Sequence, residues 1–161
     1  MNDSGASGTS RRARLAELGL TLYGPHPPHE PLLATISHDG VVHISGQLPR
    51  IDGRITCLGQ VGSTVSVPDA VAAASVCALN ALAVLEHALG SLDRIDQFLR
   101  VTGFVASAPT FHEQHVVIDG ASNIFHGVFG DAGRHVRSAI GVAALPRGAA
   151  VEIELSAAFK R

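Results

Sequence analysis

Between Pro68 and Leu89 the chain runs without a glycine and with Asp69 and Glu86 as its only carboxylates or cations. That segment limits the folds open to it. Val71, Ala74, Ala78, Leu82, Leu85 and Leu89 recur at the helical period and share one face. Ser66 is placed to cap the helix, Pro68 is tolerated in its first turn, and Gly90 ends it. So few charges on so long a helix mean that much of its circumference must be covered. The chain therefore has to build layers around a central apolar helix.

The flanking segments supply a sheet for that purpose. Leu32–Ile36 and Val41–Ser45 read as strands on either side of His38-Asp39-Gly40, where the Asp-Gly pair provides the positive φ angles of a tight hairpin. Ile51-Asp52-Gly53-Arg54-Ile55 offers a second turn, and Gln60–Val65 a weak strand or loop. Gln97–Ala106 alternates as a strand. A second helix is expected from Thr110, where Thr110-x-x-Glu113 has the capping-box pattern, through Val117, Ala121, Ile124, Phe125 and Val128 to Gly130. Arg137–Val142 and Ala150–Ala158 close the chain as strands, with turn chemistry at Leu145-Pro146-Arg147-Gly148. The order ββ, helix, β, helix, ββ predicts an α+β fold with its helices on one face of a mixed sheet. Residues 1–10, rich in glycine and serine, are expected to be a disordered tail, and residues 11–161 a single domain. Within it, Arg11–Leu18 reads as a short helix stopped by Gly19, and Gly24–Pro31 as a stiff proline-rich connection.

Charge and composition count against several function classes. Only 16% of residues are charged and 46% are hydrophobic, a balance expected of a subunit that buries part of its surface against copies of itself. Lys160 is the only lysine, and the nearest thing to a basic cluster is Arg11-Arg12-x-Arg14, so nothing in the charge asks for nucleic acid. Tyr23 is the only tyrosine and tryptophan is absent, which counts against base stacking as well. No segment reads as a membrane span or a leader, and the chain is expected to be cytoplasmic. Cys57 and Cys77 form neither a disulfide framework nor a Cys-x-x-Cys site, and Cys77 belongs to the helical core pattern. The nine histidines do not form a metal motif. His112-Glu113-Gln114-His115 is one residue short of His-Glu-x-x-His, and Glu113 is taken up by capping.

Chemistry concentrates near the C-terminus. The last two strands would set Arg137 and a glutamate, Glu152 or Glu154, on neighbouring apolar strands. A guanidinium is the natural fork for a ligand carboxylate, and a carboxylate beside it could orient or activate a water. Alternation does not choose between the glutamates, because residues two apart in a strand point the same way. Ser45-Gly46-Gln47 closes the second strand, and its glycine marks a close backbone approach to a ligand or to another subunit. His135, two residues before Arg137, has no assigned role.

Ile44-Ser45-Gly46-Gln47-Leu48-Pro49, the helix carrying Cys77-Ala78-Leu79-Asn80, Val101-Thr102-Gly103-Phe104-Val105, and His135-Val136-Arg137-Ser138 through Glu154 resemble the YjgF/YER057c/UK114 (RidA) superfamily. The resemblance covers nearly everything from Arg14 onward and is closest to a longer, less characterised branch. It implies a chorismate-mutase-like α+β fold, a homotrimeric barrel, and ligand clefts between adjacent subunits. It also implies hydrolysis of enamines and imines such as 2-aminoacrylate and 2-iminopropanoate to 2-oxo acids and ammonia, with no metal or organic cofactor. The family's carboxylate-gripping arginine falls on Arg137 and its water-positioning glutamate on Glu152. Ser138 and Ala139 would help orient the substrate through their backbone, Ser45 would form a wall, and Asn123 or Ser122 would stand for the family's helix asparagine. Two positions depart from the pattern. The cysteine two after the arginine is Ala139, so any thiol role is gone, and Pro28-His29-Glu30-Pro31 occupies the neighbourhood of the family's tyrosine. These departures raise two alternatives to an imine deaminase: a non-catalytic carboxylate-binding or regulatory trimer, and a tailoring enzyme using the same cleft for other chemistry.

Overall fold

The computed structural model describes residues 9–160. A short helix α1, Arg11–Glu17, is followed by strands β1 (Thr35–His38), β2 (Val41–Gln47), β3 (Arg50–Ile51) and β4 (Arg54–Ile55). The long helix α2 (Val67–Leu89) leads to β5 (Ile95–Ala106), helix α3 (Gln114–Phe129), β6 (Val136–Val142) and β7 (Val151–Phe159). Five strands form one mixed sheet in the order β1-β2-β7-β5-β6, and β3 and β4 form a separate small hairpin. The connections β2-α2-β5 and β5-α3-β6 each join parallel strands and step the same way along the sheet. Right-handed crossovers that step the same way put both helices on one face.

Local chemistry sets most element ends. The hairpin turn carries Asp39 at φ 47° and Gly40 at φ 79°, and Asp52-Gly53 repeats the arrangement at 49° and 77°. Ser66 Oγ accepts from Asp69 N to start α2, and Gly90, left-handed at φ 79°, stops it. Every residue from Cys77 to Leu85 is buried, so the middle of α2 is covered all round by the sheet and α3. By length and apolarity alone α2 would pass for a membrane span, contrary to the expectation that no segment would. Its burial marks it as the core helix.

Helices α2 and α3 approach closely at Gly120. A Cβ there would lie 2.2 Å from the Val71 carbonyl oxygen, and Ser75 Oγ donates to both the Val71 and Gly120 carbonyls. Backbone cannot yield cheaply, so Gly120→Ala is expected to cost about 1–3 kcal/mol by forcing the helices apart. Thermal melting checks this; an unchanged midpoint would mean that the helix pair is not tightly seated.

Three expectations need correction. First, β1 starts at Thr35, because Leu32 and Leu33 are exposed and lie outside the ladder. Second, α3 begins at Gln114 with no side-chain cap, so the Thr110-x-x-Glu113 box does not form. Buried Phe111 pins the preceding segment in a turn, with Phe111 N donating to Ala108 O and Ala108 N to Val61 O. Third, β6 and β7 are not neighbours. The Leu145–Gly148 turn carries the chain across the end of β5, and β5 pairs with β6 on one side and β7 on the other. The Gln60–Val65 segment contributes only isolated bridges. The expected disordered tail falls mostly at residues 1–8, outside the described residues; Ser10, its last residue, caps α1.

Candidate functional site

The register of β5 fixes where the C-terminal residues can meet. Arg137 aligns with Val101 and Leu155, both buried beneath the helices, so Arg137 stands on the helix side of the edge strand β6. Glu152 aligns with Phe104 and alternates with the fully buried Val151 and Ile153, so it stands on the opposite side of β7. The two are separated by β5 and by the thickness of the sheet. One small ligand cannot touch both within one chain.

Around Arg137 the partners come from α3. Nη1 donates to Asp119 Oδ1 at 2.8 Å and to Ser122 Oγ at 3.0 Å, and Nη2 donates to the His115 carbonyl at 3.2 Å. A guanidinium has five N–H donors. The Nε–H and one Nη2–H therefore remain without an acceptor among the described residues. Ser122 Oγ also lies 3.0 Å from His135 Nε2, and His135 Nδ1 lies 2.8 Å from the Gly133 carbonyl. Since the carbonyl can only accept, Nδ1 carries the proton in the neutral ring, and Nε2 accepts from the Ser122 hydroxyl. Burial foremost, with the Arg137 charge adding to it, lowers the His135 pKa and keeps the ring neutral, against the opposing pull of the Gly133 bond. Ser122, Asn123, His135 and Arg137 line one shallow depression of about 440 Å³. Ser122 and His135 thus belong to the arginine's surroundings, which their separation in sequence does not announce.

Glu152 lines a different cleft, about 430 Å³, with Ser45, Gly46, Gln47, His26, Pro28, His29, Arg50 and Arg147. The proline-rich segment forms one wall. Burial first, and the nearby Glu154 charge second, raise the Glu152 pKa above the ordinary glutamate value. Glu154 itself lines a separate depression with Arg100, Thr102 and Ser156. The clefts thus separate two glutamates that alternation could not.

The glycine of Ser45-Gly46-Gln47 now has a reason. The β2–β7 register slips between Ile44 and Gln47, and a Cβ on Gly46 would fall 1.7 Å from Glu152 Oε1. Within the chain the close approach is to the Glu152 side chain. Gly46 is exposed, so Gly46→Ala is expected to melt near the wild-type temperature while pushing the Glu152 carboxylate aside, which a crystal structure of the variant checks. An unmoved Glu152 side chain in that variant would separate Gly46 from Glu152 placement.

The remaining sequence candidates divide between these places. Asn123 joins Arg137, and Ser45 joins Glu152. The Ser138 hydroxyl accepts from Arg100 Nη2 at 2.9 Å, and Ala139 packs against the core. Ser138 aligns with Thr102 and so turns its hydroxyl to the face opposite Arg137, which leaves the backbone of Ser138 and Ala139 for the orienting role expected of them. The N-terminal arginines are tied into the body. Arg11 Nη1 donates to Val128 O, Arg14 Nε to Gly127 O, and Arg12 pairs with Glu86 at 2.8 Å. Among the described residues, no group of three or more metal-ligating side chains is assembled.

Comparison with known proteins agrees with this architecture. Residues 30–158 match the family model described as "YjgF/chorismate_mutase-like, putative endoribonuclease". Protein TCP17 of Trypanosoma cruzi is 41% identical over 143 residues, spanning 88% of this chain and 89% of TCP17. The crystal structure of Atu1372 from Agrobacterium tumefaciens, a protein of unknown function, superposes with a TM-score of 0.86 at 42% identity, covering 93% of this chain and 92% of its own. Escherichia coli TdcF, solved with bound serine, shares the fold at 23% identity and a TM-score of 0.60, covering 87% of this chain and 96% of TdcF.

Proposed function

The chain belongs to the YjgF/chorismate mutase-like family, and from that membership we propose that it hydrolyses small carboxylate-bearing enamines or imines in clefts between the subunits of a homotrimer. The observation that carries this reading is that the arginine and the glutamate of the family motif line separate open depressions on opposite faces of the sheet. A ring of subunits would bring the Arg137 side of one copy against the Glu152 side of the next. Exposed Val136 and Ile140 on the edge strand β6, with Leu99 on β5, supply apolar surface for that contact.

In the completed cleft, Arg137 would hold the substrate carboxylate with its Nε–H and remaining Nη2–H, a charge-assisted pair that fixes orientation. Glu152 would take a proton from a water as its oxygen attacks the imine carbon. The carbinolamine so formed would collapse to the 2-oxo acid, its nitrogen leaving as ammonia after accepting a proton. A carboxylate whose pKa is raised by burial is a better base for that step than an ordinary glutamate. No metal or organic cofactor enters the scheme. TdcF, with serine bound on the same fold, supports a small carboxylate-bearing molecule as the ligand class.

The family description also names endoribonuclease activity. The engagement of Arg11, Arg12 and Arg14 within the body counts against a phosphate-binding track. A non-catalytic carboxylate-binding trimer is the second reading, and Ala139 in place of the family's cysteine favours it. Decay of freshly generated 2-iminopropanoate, with and without purified protein, separates the two. Acceleration supports the hydrolase; no acceleration at high protein concentration, with 2-oxo acids still bound, supports the binder.

A further inference from the structure

The Glu152 cleft contains more positive charge than a single-carboxylate substrate needs. Arg50 and Arg147 both line it, together with His26. Among the described residues neither arginine has a carboxylate within ion-pair distance, although five other arginine or lysine side chains pair with one. The two guanidinium groups act on each other instead. Burial, and then the Arg147 charge, lower the pKa of Arg50. Arg50 Nε is buried with no acceptor, an unmet donor of the kind that stable folds rarely keep.

The backbone that carries each of these side chains is nevertheless held in place. Buried Asn80 donates its side-chain amide to the Leu48 and Arg50 carbonyls at 3.0 and 2.9 Å, and Arg50 pairs with Ile55 in the small hairpin. Arg147 sits in the left-handed region at φ 58°, which glycine would occupy at lower cost. Its turn is pinned by Gly148 N donating to Leu145 O and Gly59 N to Gly148 O. Backbone strain kept at a residue whose charge faces a cleft points to a use for that charge.

We infer that Arg50 and Arg147 form a second anion subsite beside Glu152, so that the ligand of this protein is a dianion, a 2-oxo or 2-imino acid carrying a further carboxylate. This deepens the proposed function and rests on it, since the first carboxylate belongs to Arg137 of the adjoining copy. His26 also faces the subsite. Its pKa is lowered, by burial first and by Arg50 second, so the ring adds hydrogen-bonding capacity rather than a third fixed charge.

Calorimetric titration of the full-length protein with 2-oxoglutarate and with 2-oxopentanoate tests this, because the two probes share a chain length and differ in the terminal carboxylate. The wild type is expected to bind 2-oxoglutarate about tenfold more tightly or better. Arg147→Gln and Arg147→Glu, changes at an exposed turn, are expected to bring the ratio of affinities near one, and Arg50→Gln likewise. Equal affinities in the wild type, binding of neither acid, or a preference that survives all three substitutions would overturn the subsite. Dissociation of the oligomer in Arg147→Glu with the preference intact would also overturn it, and would assign the arginines to a neighbouring subunit's acids. The readout is binding, so it is separable from catalysis. A dicarboxylate preference without imine hydrolysis would sink the hydrolase and keep the subsite; hydrolysis without the preference would do the reverse.

Discussion

Arg137→Ala is expected to lower kcat/KM for 2-iminopropanoate by about 10²–10⁴-fold, the loss of two hydrogen bonds to a charged group at about 1.5–3 kcal/mol each. The fold should hardly notice. The side-chain partners of Arg137 are the half-exposed Asp119 carboxylate and Ser122, and an ion pair at such a surface contributes less than about 1 kcal/mol. Melting should therefore stay close to wild type while turnover collapses. Arg137→Lys restores the charge without the planar fork and should recover only part of the loss. Steady-state kinetics on both variants, with melting curves as controls, checks this. Full activity in both would remove the carboxylate clamp.

Glu152→Gln should show a different signature: turnover down by about 10²–10⁴-fold with 2-oxo acid binding retained, because the amide keeps the shape but cannot take a proton. Burial and Glu154 raise the Glu152 pKa, so wild-type activity should rise with pH through a midpoint above the ordinary glutamate value. Glu154→Gln should move that limb toward lower pH. The same shift has a consequence for stability. A carboxyl whose folded pKa lies above its unfolded one stabilises the fold at low pH, and that contribution is lost as pH rises through the folded value. Removing the buried charge should therefore make Glu152→Gln the more stable protein at neutral pH, and the gap should close in acid. A variant that is less stable at neutral pH and still active would make Glu152 a structural residue.

How much of this was legible in the sequence depends on which interactions decide each feature. Local chemistry decided α2, whose cap at Ser66 and stop at Gly90 are short-range, and the Asp39-Gly40 turn, which needs only two positive φ angles. The start of α3 was misread because the tertiary burial of Phe111 outweighed a local capping box. The strands of Arg137 and Glu152 were found, but their adjacency was not. Sequence proximity across a four-residue turn resembles a hairpin, whereas the long strand β5 intervenes and puts the two residues on opposite faces. Ser122 and His135 become partners only when α3 packs against β6, and no spacing rule connects them. The mutual exclusion of Gly46 and Glu152 is likewise a contact between distant strands, although the glycine itself was a visible marker. That Arg50 and Arg147 have no carboxylate partner among the described residues was hidden for the same reason: an arginine's pairing is a property of three dimensions.

In the proposed hydrolase one site takes Arg137 from one copy of the chain and Glu152 from another. Mixing Arg137→Ala with Glu152→Gln, each inactive alone, and reassembling them as hetero-oligomers tests it directly. With random equimolar assembly, about one quarter of intersubunit sites should receive both intact residues, and imine decay should recover to about that fraction of wild type. No recovery in mixed oligomers of verified composition, beside an active wild type, would contradict a site shared between subunits.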